Sequence, residues 1–222
     1  MVLPGAAPPV ADAKPGLPGC RGAVLSPSVP SRSFHGAPGR FDVVAAFVAD
    51  RFPEVRFVAD VAGGQGMLSR ILAKRYNLDA EVVDPRGWVL RGVSNRPIPY
   101  TADLADFYDL IIGLHPDQAL RPVVESAATV PVLVVPCCNF WSPGTRLGRD
   151  ALLDRISDHH AEGTGSVEPV VFDFAGPMNR GLVLLPPARS DPIREPRTRL
   201  TTQLSNDSTA RQPESATTRS NR

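Results

Sequence analysis

Residues Phe57–Asp84, FVADVAGGQGMLSRILAKRYNLDAEVVD, decide the fold. Phe57-Val58-Ala59-Asp60-Val61 is a short apolar run with β-branched residues, the pattern of a strand buried on both faces. Gly63, Gly64 and Gly66 break it, and Met67, Leu68, Ile71 and Leu72 then recur at helical spacing as far as Tyr76. Lys74 and Arg75 fall in the last turn, where cations suit the helix dipole, and Asn77 is placed to cap it. Ala80 to Asp84 reads as a second strand that ends in a carboxylate.

A chemistry follows from this strand, glycine loop, helix and strand. A glycine loop lets a ligand approach the backbone closely, and the free N–H groups at a helix start favour a polar or anionic group. An acid at the tip of the second strand lies beside the same crevice and can accept both hydroxyls of a ribose. Gly66 and Asp84 are 18 residues apart, close to the spacing of about 20 that this arrangement needs. The unit therefore reads as a nucleoside site. Ser69 stands where a dinucleotide fingerprint would have its third glycine. Asp60 would repel a pyrophosphate but suits an ammonium group.

Asp60-Val61-Ala62-Gly63-Gly64-Gln65-Gly66 resembles the D-x-G-x-G-x-G motif of class I S-adenosylmethionine-dependent methyltransferases, with Ala62 in place of the first glycine. The resemblance implies S-adenosylmethionine as cofactor. It implies that Asp60 and the loop Ala62, Gly63, Gly64, Gln65 and Gly66 flank the methionine part, and that Asp84 holds the ribose. It further implies that an acid after strand three, here Asp103 with Leu104 beside it, meets the adenine. The alternative for Asp103 is a helix cap for Leu104 to Phe107.

Outward from this unit, Arg40 to Phe52 forms an amphipathic helix with Val44, Phe47, Val48 and Phe52 on one face, and Pro53 stops it. Pro85 to Val93 suggests a weak helix. Pro97 and Pro99 make the third strand short or irregular. Tyr108 to Gly113 and Val130 to Val135 are buried strands four and five, and Asp150 to His160 is a helix. Val167–Phe174 and Leu182–Leu185 flank a connection too short for a crossover helix, so they pair antiparallel. The fold class is α/β, a Rossmann-like methyltransferase sheet that is mostly parallel with an antiparallel C-terminal hairpin. Residues 38–187 form this domain. Residues 1–37 and 188–222, rich in Pro, Gly, Ser, Thr and Arg, read as disordered tails.

Composition narrows the class. The 222 residues suffice for one domain, and a net charge of +1 gives no global field toward nucleic acid or membrane. No run approaches a membrane span, and the start lacks the charged and apolar regions of a secretory signal. Three cysteines, two of them adjacent, give no disulfide framework or metal pattern. A cytoplasmic protein without metal is expected; its oligomeric state stays open.

Substrates in such sheets react outside the carboxyl ends of the strands. Two loops there stand out: Gly113-Leu114-His115-Pro116-Asp117 and Pro136-Cys137-Cys138-Asn139-Phe140-Trp141. His115 and Asp117 suit a base or orienting pair, with Asn139 as a further catalytic candidate. Alternatively Asp117 caps a helix and His115 packs. Phe140 and Trp141 suit stacking on a substrate ring, or core packing. Cys137 and Cys138 read as inert thiols. The pairing of G-x-H-x-D with P-C-C locally resembles the tRNA(Ser) uridine-44 2′-O-methyltransferases, which implies an RNA acceptor; a small-molecule acceptor is the other option. Two further classes stay open: an NAD(P)-binding oxidoreductase, and a non-catalytic Rossmann-like binding module.

Overall fold

The computed structural model describes residues 36–188 apart from 38, 143, 146, 164 and 177. Both expected tails lie almost wholly outside the described residues. Seven strands form one sheet: β1 (Phe57–Val61), β2 (Asp79–Val83), β3 (Ser94–Arg96), β4 (Leu110–Leu114), β5 (Val132–Val135), β6 (Ser166–Val171) and β7 (Arg180–Leu185), in the order β3-β2-β1-β4-β5-β7-β6. The first five are parallel, while β7 runs antiparallel to both β5 and β6. The mostly parallel sheet and its closing antiparallel pair match the sequence expectation.

Alternating side chains divide the core into two layers. Val58, Leu110, Ile112 and Leu133 pack against α1 (Arg40–Arg51) and α2 (Met67–Tyr76). Ala59, Ile111, Val132 and Val134 pack against α3 (Leu120–Glu125) and α4 (Arg149–Glu162). Asn77 closes α2 in the left-handed region at φ 55°, and the Leu78 N–H returns to the Leu72 carbonyl, a hydrogen-bonded stop of the kind the sequence suggests.

One local expectation fails. Pro85–Val93 contains no helix; it is a run of turns with Gly87 and Gly92 at positive φ, and two such residues break any helical register. The third strand is short, as the prolines imply: it has three residues, ends just before Pro97, and pairs Val83 with Arg96 at the sheet edge. Proline lacks the N–H that this ladder uses.

Candidate functional site

The carboxyl ends of β1, β2, β4 and β5 open on one edge of the sheet. The connection from β6 to β7 returns to the same edge, because β7 starts there. A cavity of about 640 Å³ lies at this edge, faced by Ala62, Asp84, Arg86, Tyr100, Asp117 and Phe140. Its volume is that of an ordinary small-ligand site. A separate pocket beside Arg56 and Asn77 sits at the opposite, amino edge and touches none of the candidate residues.

The glycine loop is fixed from below. Asp60 is 1% exposed, and its Oδ2 accepts hydrogen bonds from the Ser69 N–H (3.3 Å) and hydroxyl (2.9 Å). A Cβ on Gly63 would come within 2.5 Å of that carboxyl group, so only glycine fits over it. Gly66 starts α2 at φ 75°, and a Cβ there would meet Val82 at 2.7 Å. Ala62, the departure from the glycine pattern, also adopts a left-handed conformation at φ 54°, which strains a residue with a Cβ by about 1–2 kcal/mol. Burial pushes the Asp60 carboxyl up to about 6, against the pull of both Ser69 hydrogen bonds.

Asp84 is as buried as Asp60, but all its acceptor positions are in use. Oδ1 accepts from the Arg86 N–H and Nε, both at 2.9 Å; Oδ2 accepts from Gly64 N–H at 3.1 Å and Arg86 Nη2 at 2.6 Å. A carboxylate offers about four lone-pair sites. Burial alone would raise its pKa, but the Arg86 bonds outweigh it and hold the carboxyl below the usual range. The Arg86 side chain is 64% exposed, so it can turn out and free the carboxylate for another donor. Arg86 stands two residues after the strand-end acid, a signal that the sequence already carries.

The loop after β4 carries both of its candidates on strained backbone. His115 and Asp117 adopt left-handed conformations (φ 59° and 48°), and the Asp117 charge acts on the imidazole. The His115 Nε2–H donates to the Met178 carbonyl at 3.1 Å, leaving Nδ1 as an acceptor. Burial lowers the His115 pKa more than this bond raises it, so the ring stays neutral. Asp117 faces the cavity, and its Oδ1 accepts from the Cys137 thiol at 3.3 Å. Burial first, then Cys138 and Asp117, push the Cys137 thiol up to about 12. It therefore remains a thiol at neutral pH; Cys137 is only partly buried and Cys138 is exposed. Strained residues cluster at sites where surrounding structure holds them in place; three of the four non-glycine residues at positive φ among those described sit on this edge.

The sheet that carries these loops is similar in fold to several known enzymes. One is the sugar N-methyltransferase KedS8 of Streptoalloteichus sp (19% identity, TM-score 0.42, 76% of this chain and 100% of that chain). Another is the S-adenosylmethionine-dependent methyltransferase SibL (19% identity, TM-score 0.42, 67% of this chain and 55% of that chain). A third is DesVI of Streptomyces venezuelae (16% identity, TM-score 0.40, 67% and 90%). This chain spans about half the length of SibL. No family model matches the chain, and no curated protein matches it in sequence.

The remaining candidates divide. Phe140 lines the cavity, whereas Trp141 does not: it is buried, with Arg121 over its ring at 4.7 Å and His159 edge-on. The Asn139 amide accepts from Ser142 N–H and donates to the Ser142 and Thr145 carbonyls, which builds the loop. Asp103 lies exposed in a 3-10 turn with no cap hydrogen bond, and Leu104 packs on the core. Gln65 keeps its backbone in the loop, bonded to Leu90 N–H. No group of three or more metal-ligating residues occurs among the described residues, and no described helix is long and apolar enough to cross a membrane.

Proposed function

We propose that this chain is an S-adenosylmethionine-dependent methyltransferase. The observation that carries the reading is the pairing of Asp84 with the glycine loop across one cavity. A strand-tip carboxylate suits ribose hydroxyls, and Gly64, left-handed at φ 57° with no neighbour nearer than 3.9 Å to a would-be Cβ, leaves room for close approach of a ligand. Beneath the loop, Asp60 offers a carboxylate suited to the cofactor's ammonium. When bound, the cofactor supplies a methyl group made electrophilic by its sulfonium. The protein then has to align an acceptor and take a proton. His115, whose Nδ1 is left as an acceptor, is the candidate base, with Asp117 orienting the acceptor from the cavity wall. Phe140 in the cavity lining suits contact with a flat acceptor.

The oxidoreductase alternative fits less well. Dinucleotide-binding sheets of the doubly wound type run 3-2-1-4-5-6, whereas here antiparallel β7 stands between β5 and β6. A thermal-shift series with S-adenosylhomocysteine, NAD and NADP tests the assignment. Stabilisation by S-adenosylhomocysteine alone is expected; stabilisation by a nicotinamide cofactor alone reverses it, and no response from any of the three leaves the fold as a binding scaffold. Transfer of a labelled methyl group to total tRNA or to small-molecule extracts then separates the two acceptor classes, of which RNA rests on the local loop resemblance.

A further inference from the structure

α1 opens with an arginine on its buried stripe. Arg40, Val44 and Val48 repeat every four residues and are 8%, 0% and 0% exposed. The C-terminal end of α1 is tied to the amino edge of the sheet, because it leads into β1 and Arg51 pairs with Glu168 near the start of β6. Its N-terminal end therefore lies at the carboxyl edge, where the ligand cavity and the loop after β4 are. Arg40 and His115 are close enough there to feel each other's charge.

The Arg40 guanidinium is incompletely satisfied. Nη1 donates to the Ala37 carbonyl at 3.1 Å, and the group lies 4.0 Å over the Phe41 ring. Nε is buried without a hydrogen-bond partner, and no carboxylate pairs with Arg40 among the described residues. Arginine is almost never this buried unless paired, because desolvating a lone cation costs several kcal/mol. Nothing among the described residues balances this charge, and a ligand anion would. With Nη1 engaged, the open side is the Nε edge, which matches the two oxygens of a carboxylate. Neutral His115 adds no second positive charge, so a monoanion balances the site.

We propose that Arg40 anchors a ligand carboxylate at the carboxyl edge of the sheet, beside His115 and the Met178 carbonyl. The site itself follows from the unpaired guanidinium. Only the choice of sources rests on the methyltransferase reading: the amino-acid end of the cofactor, or an acid group on the acceptor.

Calorimetry on the full chain, with Arg40→Met and Arg40→Lys, tests this. S-adenosylhomocysteine is compared with 5′-methylthioadenosine, the same nucleoside without the amino-acid end. If the cofactor supplies the carboxylate, Arg40→Met weakens S-adenosylhomocysteine about 10- to 100-fold and leaves 5′-methylthioadenosine unchanged, while Arg40→Lys recovers part of the loss. If the acceptor supplies it, both nucleosides bind all three proteins alike. Acetate or benzoate, added with S-adenosylhomocysteine, then raises the melting temperature of the parent but not of Arg40→Met. Should neither nucleoside bind the parent, the methyltransferase reading falls, and the two acids on unliganded protein decide the Arg40 site by the same comparison. Should Arg40→Met misfold, Arg40→Lys serves, since it keeps the charge and loses the two-pronged contact. Equal behaviour of parent and variants in every arm overturns the proposal.

Discussion

The two halves of the crevice are built on different plans. At the ends of β1 and β2, backbone geometry does the shaping: glycines without side chains, one carboxyl beneath the loop and one at its side. At the ends of β4 and β5, side chains are aimed by strained backbone at His115 and Asp117 and steadied by single contacts to Met178 and Cys137. The half built on steric necessity tolerates little substitution. The half built on aimed side chains can be retuned without rebuilding the sheet.

Asp84→Ala strikes the first half hardest. Losing a charge-assisted two-pronged contact to ribose weakens S-adenosylhomocysteine by about 2–4 kcal/mol, about 30- to 800-fold. Calorimetry that finds parent affinity in this variant would mean that the nucleoside lies elsewhere.

Asp60→Asn separates the two acids. The folded pKa of Asp60, about 6, lies above its ordinary 3.8, so the native state holds a proton more tightly than the unfolded chain between these values. Stability therefore falls as pH rises from about 4 to about 6 and stays lower above it, by about 3 kcal/mol. The asparagine variant, which can still accept both Ser69 bonds, should unfold at higher denaturant than the parent at pH 8 and lose that advantage near pH 4. It should also bind S-adenosylhomocysteine more weakly, since the ammonium loses its partner. A parent whose stability is flat between pH 4 and 7 contradicts the buried charge.

The second half is probed by rate. His115→Ala and Asp117→Asn should each lose at least about tenfold in single-turnover rate, the low end of what a positioned base supplies, with a far smaller change in cofactor affinity. Parent rates in both would make this loop purely structural and move the search for the base to the Met178 loop.

Ala62→Gly is the mildest change. It relieves the left-handed strain at φ 54° but adds freedom to the unfolded chain, so the net shift in stability should stay within about 1 kcal/mol. A loss well beyond that would show that the Ala62 methyl packs against something in the cavity wall.

The same division governs what the sequence reveals. Gly66 and Asp84 are legible because steric need and strand-end chemistry act within one stretch of chain. Strands four and five are legible as apolar runs, and the antiparallel pair follows from a short connection. The backbone of the loop after β4 is hidden, because no local propensity favours left-handed conformations at His115 and Asp117. Trp141 is hidden too: its place depends on Arg121 and His159 from two other helices. Arg40 was visible only as one polar residue in line with Val44 and Val48, a mark easily taken for a helix start.

Arg86 has one more consequence. By filling the acceptor positions of Asp84 it would be, under the proposed ribose contact, a tethered competitor of the ribose, and the competitor is exposed while its target is buried. Added salt screens an exposed guanidinium more than it touches neutral hydroxyls. Affinity for S-adenosylhomocysteine should therefore rise as salt is raised from low to moderate levels, by about two- to fourfold, the scale of an exposed ion pair. The trend is opposite in sign to that of a site that grips phosphate, and Arg86→Gln should abolish it.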